Sequence, residues 1–406
     1  MADKVVLAYS GGVDTSVAIK WLQEKHNLDV IAFSADVGNE PDFPAIREKA
    51  LKLGAVKAVV RDVREAFIRG YVFPAVQANA VYQGQYPLGT ALARPLIARL
   101  MVEVALEEGA SVVAHGCTGK GNDQVRFDVS VAALAPDLKI MAPARDWGMN
   151  REETIAYAQH HGIPIPITAD NPYSLDQNLW GRAIECGVLE DPWVEPPDDA
   201  FIWCRPLAET PNTPEYLVLD FEQGIPVAVD GQRMDGIALI ERVNELAGKH
   251  GVGKVDHIED RVVGIKSREV YEAPAAVVLL AAHRALEAMT LTRDQLRFKR
   301  GVEATFADLI YEGLWFTALR EDLNAYIVSS QRFVSGSVRV KLFKGSSSVV
   351  GRKSPHSLYR HDLATYDQGD IFDQSAAEGF IHIWGLPART QAQVQGTNPP
   401  GKEEDR

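Results

Sequence analysis

Cysteine is scarce: three in 406 residues, Cys117, Cys186 and Cys204, with no CxxC pair and no metal-ligand spacing. So few, so scattered and odd in number, these thiols argue against a disulfide framework and a structural zinc site, and they suit a reducing compartment. Long hydrophobic runs are also missing. The longest, APAAVVLLAA at 273–282, stops at His283-Arg284, well short of the roughly 20 residues that a membrane span needs. The opening MADKVVLAYSGG holds an apolar run too short for a signal peptide, with a glycine loop directly behind it. Positive charge is the third shortage: 42 Lys and Arg against 55 Asp and Glu give a formal net charge of −13. Such a surface repels a phosphate backbone, which argues against a nucleic-acid partner held by general electrostatics but not against a local basic pocket for a small anion. These shortages predict a soluble cytoplasmic protein with neither nucleic acid nor membrane as partner.

With 46% apolar and 24% charged residues the chain reads as globular, and its length predicts two or three domains. Over about the first 165 residues, strand-like and helix-like segments alternate. KVVLAY (4–9), DVIAFSA (29–35), AVKAVVR (55–61), SVVAHG (111–116) and LKIMAPA (138–144) read as buried strands. Between them, Val17 with Trp21 and Ala18 with Leu22 form i,i+4 apolar pairs. RPLIARLMVEVALEEG closes at Gly109, and NREETIAYAQHHG opens with Asn150 and Glu153 at capping-box spacing. The pattern predicts an α/β fold, a doubly wound parallel sheet with its ligand at the carboxyl ends of the strands.

Around GIPIPITADNPYS (162–174) the composition turns to proline and polar residues, a predicted boundary. Beyond it EYLVLDFEQGIPVAVDG and SVRVKLFKGSSSVVGRKS read as hairpins, DGIALIERVNELAGKHG as a helix started by Asp235, and APAAVVLLAAHRALEAM as a buried helix. That is an α+β second domain. Trp180 and Trp193 are expected to flank a short helix as packing anchors. The polar end of the chain is expected to be disordered.

The most informative stretch is VVLAYSGGVDTSVAIKW, residues 5–21. Two glycines after a strand allow a tight turn and bring N–H groups close to a ligand. The helix that follows aims its N-terminal N–H groups and positive dipole end at the same spot, and Ser10, Thr15 and Ser16 add hydroxyls. This describes a site for an oxygen-rich anion, with phosphate the natural candidate. Neither GxxxxGK[ST] nor GxGxxG is present. The string SGGVDTS instead resembles the pyrophosphate-binding loop of the N-type ATP pyrophosphatases, which split ATP between its α- and β-phosphates.

Further stretches narrow the resemblance. AYSGGVDTS (8–16), ADVG (35–38), LGTALARPL (88–96), AHGCTGKGNDQVRF (114–127), NLWGRAIECGVLEDPW (178–193) and GIKSREVYEAP (264–274) resemble the argininosuccinate synthase family in order and spacing. The likeness runs over roughly residues 3 to 365. It implies that citrulline, aspartate and ATP, with Mg2+, give argininosuccinate, AMP and pyrophosphate through a citrullyl-adenylate. It further implies a nucleotide-binding domain (1–168), a synthetase domain (169–361) and a C-terminal extension (362–406) used in a homotetramer.

The same resemblance assigns residues. Ala8, Tyr9, Ser10, Gly11, Gly12, Val13, Asp14, Thr15, Ser16, Ala35 and Gly116 match ATP positions, with Asp14 either ordering the loop or positioning metal. Thr118, Asn122 and Asp123 match aspartate contacts. Tyr86, Ala91, Asn122, Arg126, Ser174, Ala183, Glu259 and Tyr271 match citrulline contacts. Asp14 and Asp123 are the candidate catalytic carboxylates, and no protein metal site is assigned. The chemistry of the side chains suits these roles: Thr and Asn donate to a carboxylate, Asp123 accepts from an amine, and a guanidinium grips a carboxylate in two-pronged fashion. Ala91 and Ala183 stand where many relatives carry serine, and Thr90, water or another side chain is expected to make good the lost hydroxyls. A tRNA-modifying member would want a catalytic cysteine pair and a basic surface, and a catalytically dead relative would have lost one of the two loops.

Overall fold

The computed structural model describes residues 3–39, 42–164 and 173–396. Val, Ile and Ala runs with no polar face belong in the middle of a sheet covered on both sides. Here they form β1 (Lys4–Ala8), β2 (Asp29–Asp36), β3 (Lys57–Asp62), β4 (Val112–Ala114) and β5 (Lys139–Met141), a sheet of order β3-β2-β1-β4-β5. All of its pairs are parallel, and Val6 of β1 registers with Ile31 of β2 and Val113 of β4. Alternate residues feed two cores. Val6, Ile31, Phe33 and Val113 lie in one, and Val5, Leu7, Val30 and Val112 in the other. The doubly wound expectation is met.

From β1 the chain builds outward to β2 and β3, then returns to place β4 on the other side of β1. A parallel sheet opens a crevice beyond its carboxyl ends where the order reverses in this way. The loops after β1 and β4, Tyr9–Gly12 and His115–Gly121, therefore face one another at that point. The helix Val13–His26 buries Val17, Ala18 and Leu22 against the sheet. A second helix runs Gly89–Glu108 and closes at Gly109 with φ +63°. Its apolar period begins at Arg94, but the helix starts five residues earlier and keeps Pro95 inside. That puts Thr90, Ala91 and Arg94 on helix rather than on loop. The capping box of Asn150 and Glu153 is present.

The remaining strands are β6 (Ser174–Asn178), β7 (Gly181–Glu185), β8 (Glu215–Glu222), β9 (Ile225–Val229), β10 (Gln232–Arg233), β11 (Lys254–Asp260), β12 (Lys266–Glu272), β13 (Gly336–Phe343) and β14 (Ser346–Lys353). They make two antiparallel sheets, β10-β9-β8-β13-β14 and β11-β12-β7-β6. The two expected hairpins are β8–β9 and β13–β14. Asp235 caps the helix Gly236–Lys249 by accepting from the Ala238 N–H, and the helix Pro274–Thr290 is largely buried. One core joins the halves, running from Val6 and Phe33 through Leu92 to Leu219 and Leu279. Met1–His356 is accordingly one compact unit. Ser357–Arg406 is a second, with helices His361–Ala364, Ala376–Trp384 and Leu386–Gln395. Most of the predicted boundary, and the last ten residues, lie outside the described residues. Among the described residues no helix is long and apolar enough to cross a membrane.

The two tryptophans part company. Trp180 is buried at the β6–β7 turn and donates its Nε1–H to the Pro87 carbonyl at 2.8 Å, whereas Trp193 is 94% exposed. The expected short helix between them is instead β7 followed by a 3-10 turn, Gly187–Glu190. GRAIE is almost wholly buried and carries no alternating pattern that marks it as strand, and one aromatic carries no information about which side it faces.

The wall behind the site hangs on one ion pair. Arg182 Nη1 donates to Glu272 Oε2 at 2.8 Å and to the Ala200 carbonyl at 2.8 Å. Glu272, fully buried, also accepts from the N–H groups of Trp203 and Cys204 at 2.8 Å and of Ile202 at 3.2 Å. Glu272→Ala leaves a buried guanidinium and three backbone donors unpaired. It is expected to destabilise the fold by about 3–5 kcal/mol in denaturant titration. The pair Arg182→Met with Glu272→Leu should recover little of this, because the backbone donors stay orphaned.

Candidate active site

The two glycines after β1 have separate tasks. Gly11 takes φ +80°, a conformation costly for any side chain, while Gly12 is extended and starts the helix Val13–His26. No side chain caps that helix, nor the helix Asn122–Leu134 at Gly121. Asp42, Asn150, Asp235 and Thr292 cap helices elsewhere. The two helix starts after β1 and β4 thus offer uncapped N–H groups and positive dipole ends to a shared crevice. Ser10 Oγ lies 3.2 Å from Thr15 Oγ1 and accepts from the Gly12 N–H at 3.3 Å. Ser16 is fully buried, 3.2 Å from the Tyr9 hydroxyl.

A cavity of about 400 Å³ opens here, lined by Ala8, Tyr9, Ser10, Thr15, Ala35 and Gly116 among others. Gly11, Gly12, Val13 and Asp14 form the loop and first turn beside it, and Ser16 lies behind. The two loops touch because residue 116 is glycine: a Cβ there would stand 2.7 Å from Thr15 Cγ2. Lys49, which the loop motif does not reveal, donates to the Gly11 carbonyl at 2.7 Å.

A second cavity, of about 200 Å³, lies between the helix Asn122–Leu134 and the sheet β11-β12-β7-β6. It gathers Tyr86, Thr118, Asn122, Asp123, Arg126, Ala183, Glu259 and Tyr271, eight of the positions that the resemblance assigns to citrulline or aspartate. Two others fall outside it. Ser174 lines the first cavity, and Ala91 is fully buried beneath the Tyr86 hydroxyl, its N–H 3.4 Å away. Thr90, next to Ala91, does line the second cavity, with its hydroxyl 2.8 Å from that of Tyr86.

Electrostatics sort the side chains. Arg126 Nη1 donates to Asp123 Oδ1 at 2.9 Å and Nε to the Tyr311 carbonyl at 2.9 Å, while its buried Nη2 has no partner. Burial alone would raise the Asp123 carboxyl; the Arg94 and Arg126 guanidiniums reverse this and hold it below the usual carboxylate range. Glu259 is likewise raised by burial and brought lower by the His257 imidazole 3.5 Å away and by hydrogen bonds from Tyr311 and Tyr271, the last at 2.7 Å. Asn122 is already committed: its amide donates to the Tyr311 hydroxyl at 2.7 Å and accepts from the Val262 N–H at 2.9 Å. Burial, then Asp123, push the Cys117 thiol up to about 12, so it is neutral and unreactive near pH 7.

Arg94 has no role in the motif reading, yet it stands at the junction. Its Nε and Nη2 donate to Asp123 Oδ2 at 2.9 and 2.7 Å, and Nη2 also reaches Asp176 Oδ2 of β6. It lines the first cavity, and Cys117 and Asp176 line both. Arg261, Glu185 and Glu269 complete the second cavity and also escaped notice. Arg94, Glu185 and Glu269 lie within the stretches LGTALARPL, NLWGRAIECGVLEDPW and GIKSREVYEAP, but it takes strand register to bring them and Arg261 to one cavity.

Gly116→Ala is expected to part the two loops and weaken ATP binding by roughly tenfold or more, since displacements near 1 Å are costly at such sites. Calorimetric titration with ATP checks this, alongside an unchanged thermal midpoint.

The Arginosuccinate synthase N-terminal HUP domain model matches residues 4–164, and the Arginosuccinate synthase C-terminal domain model matches residues 173–391. The chain is 66% identical over 395 residues to the argininosuccinate synthase of Dehalococcoides mccartyi, covering 97% of each sequence. It is 58% identical to that of Gloeobacter violaceus, covering 97% of this chain and 99% of the relative, and 57% identical to that of Symbiobacterium thermophilum, covering 97% and 98%. With a glycine loop at the switch point of the sheet, a charged cavity beside it and these matches along nearly its whole length, the chain belongs to the argininosuccinate synthase family.

Proposed function

We propose that the chain ligates citrulline to aspartate at the expense of ATP, in arginine biosynthesis, through a citrullyl-adenylate, with AMP and pyrophosphate as the other products. One observation carries the reading: the nucleotide cavity and the amino-acid cavity meet at Cys117 and Asp176, which line both. A ureido oxygen held in one can therefore meet an α-phosphorus held in the other. That oxygen is a poor leaving group, so it is first joined to AMP. The aspartate amine then attacks the activated carbon.

In this reading the peptide groups of Gly11–Thr15 and the hydroxyls of Ser10 and Thr15 hold the departing pyrophosphate. Arg126 offers its unpartnered Nη2 to a substrate carboxylate, and Glu259 receives the citrulline α-ammonium beside the hydroxyl of Tyr271, whose ring stacks on that of Tyr86. Thr118 and the Asn122 N–H face the aspartate carboxylates. Asp123, held anionic by two arginines, orients the aspartate ammonium rather than taking its proton.

Among the described residues no three His, Cys, Asp or Glu side chains gather to hold a metal. A divalent cation in this reading is bound chiefly through the substrate phosphates, with Asp14 the carboxylate in the first turn after the glycine loop. Magnesium, when bound, neutralises charge on the pyrophosphate. The three cysteines are free, in keeping with a cytoplasmic location. On the helix Ala376–Trp384, Phe380, Ile381, Ile383 and Trp384 are all more than 60% exposed. That apolar face supports assembly through the C-terminal unit into a homotetramer.

Citrulline labelled with oxygen-18 at the ureido oxygen tests the chemistry. Steady release of AMP and pyrophosphate should need both amino acids, with the label in AMP; AMP without citrulline, or ADP and phosphate in its place, would overturn the assignment. Light scattering tests the assembly. A chain ending at His356 should be smaller than a tetramer by more than the mass of the removed segments, and a persisting tetramer rejects the role of the C-terminal unit.

A further inference from the structure

Aspartate reaches the site with its amine protonated, and an ammonium cannot attack carbon. Five carboxylates line the amino-acid cavity, and four have close donors. Asp123 is held by Arg94 and Arg126, and Asp176 by Arg94. Glu259 accepts from Tyr271 and Tyr311, and Glu269 from Arg261 at 2.7 Å and Ser267 at 2.5 Å. Glu185 receives one long contact, from Arg261 Nη2 at 3.3 Å, because that guanidinium is drawn to Glu269. The side chain of Glu185 is 44% exposed, so a proton can leave it for solvent.

Position supports the same residue. Glu185 ends β7 opposite Ser174 of β6, and the next residue, Cys186, holds φ +77°, a left-handed value rare outside glycine. The chain turns out of the strand there under backbone strain, which fixes the last strand residue at the cavity wall.

We propose that Glu185 is the general base of the second half-reaction, accepting a proton from the aspartate ammonium so that the free amine attacks the activated citrulline carbon. The inference rests on the ligation reading above. The N–H bond breaks and its proton goes to the Glu185 carboxylate. The nitrogen lone pair forms the new C–N bond, and the C–O bond to AMP breaks, its electrons leaving with AMP. The proton passes from Glu185 to water when the products depart.

Burial and the facing Glu269 of β12 raise the Glu185 carboxyl to about 7; Arg261 opposes this, and Asp123 and Glu259 of β11 add to it. Asp176 of β6 is the other charge on the same wall. A base of that strength is half ionised near neutrality and strong enough to matter. Below about pH 7 it is protonated and idle, so kcat/KM for aspartate should fall as pH drops through that range.

The test compares wild type, Glu185→Gln and Glu185→Asp in two assays on the full chain. Exchange of labelled pyrophosphate into ATP, with citrulline but no aspartate, reports adenylation alone. Argininosuccinate formation from pH 5.5 to 9 reports the whole reaction. Glu185→Gln should keep wild-type exchange, lose roughly 10²–10⁴-fold in synthesis, and replace the acid limb near 7 by a rate that climbs with pH as free amine accumulates. Glu185→Asp should keep the limb at reduced rate. An unchanged pH profile in Glu185→Gln overturns the proposal, and so does a parallel loss of exchange and synthesis, which marks a wall residue. No exchange in the wild type overturns the adenylate reading itself, and this role with it.

Discussion

Asp123 between two arginines is the interaction on which the rest of the site depends. A carboxylate withdrawn from water needs cations and donors to stay ionised, and Asp123 has Arg126 on one oxygen and Arg94 on the other. It also lies in the first turn of its helix, where a negative charge is favoured. Arg94 continues to Asp176 on β6. A single ionic chain thus runs from the helix after β4, through the helix Gly89–Glu108, to the first strand of the antiparallel sheet. It ties the two cavities together, because its members line both. Lysine cannot stand in for Arg94, since its point charge cannot span two carboxylates in one plane.

What the sequence makes legible is local. A strand, two glycines and hydroxyls at a helix start form within a dozen residues, so the phosphate-type site and the parallel sheet follow from residues 5–21 and the strand–helix alternation. The caps at Asn150 and Asp235 are equally local. What stays hidden depends on register between distant strands. Glu185, Glu269 and Arg261 converge because β7 pairs β12 and β12 pairs β11, and a slip of one residue would turn each away from the cavity. Ser174 shows the same limit. The resemblance assigns it to citrulline, and the start of β6 places it on the wall of the cavity beside the glycine loop rather than among the other citrulline positions. Pro95 hid the start of its helix, because a proline reads as a first turn even where a helix carries it inside.

The alanines at 91 and 183 show how a hydroxyl can be lost without loss of the site. Ala91 is fully buried beneath the Tyr86 hydroxyl and does not line the cavity that holds Thr90. Thr90 supplies an oxygen one residue away, already bonded to Tyr86. Ala183 does line the amino-acid cavity, on a strand flanked by the hydroxyl of Tyr271. An unmade neutral hydrogen bond costs on the order of 1 kcal/mol, too little to change which reaction the site supports.

Five carboxylates around a cavity of about 200 Å³ would repel one another into uselessness if their surroundings were alike. They are not alike. Asp123 is paired with two guanidiniums and stays anionic. Glu259 accepts from the phenols of Tyr271 and Tyr311, which together with the nearby His257 imidazole and Arg126 charge lower it against burial. Glu185 loses the contest for Arg261 and is left with burial and like charges, which favour its protonated form. Environments that push similar groups apart in proton affinity assign them different work. On the proposed reading, orientation, substrate charge recognition and proton transfer are thereby divided among three of these acids, and the division is set by where Arg94, Arg126 and Arg261 point.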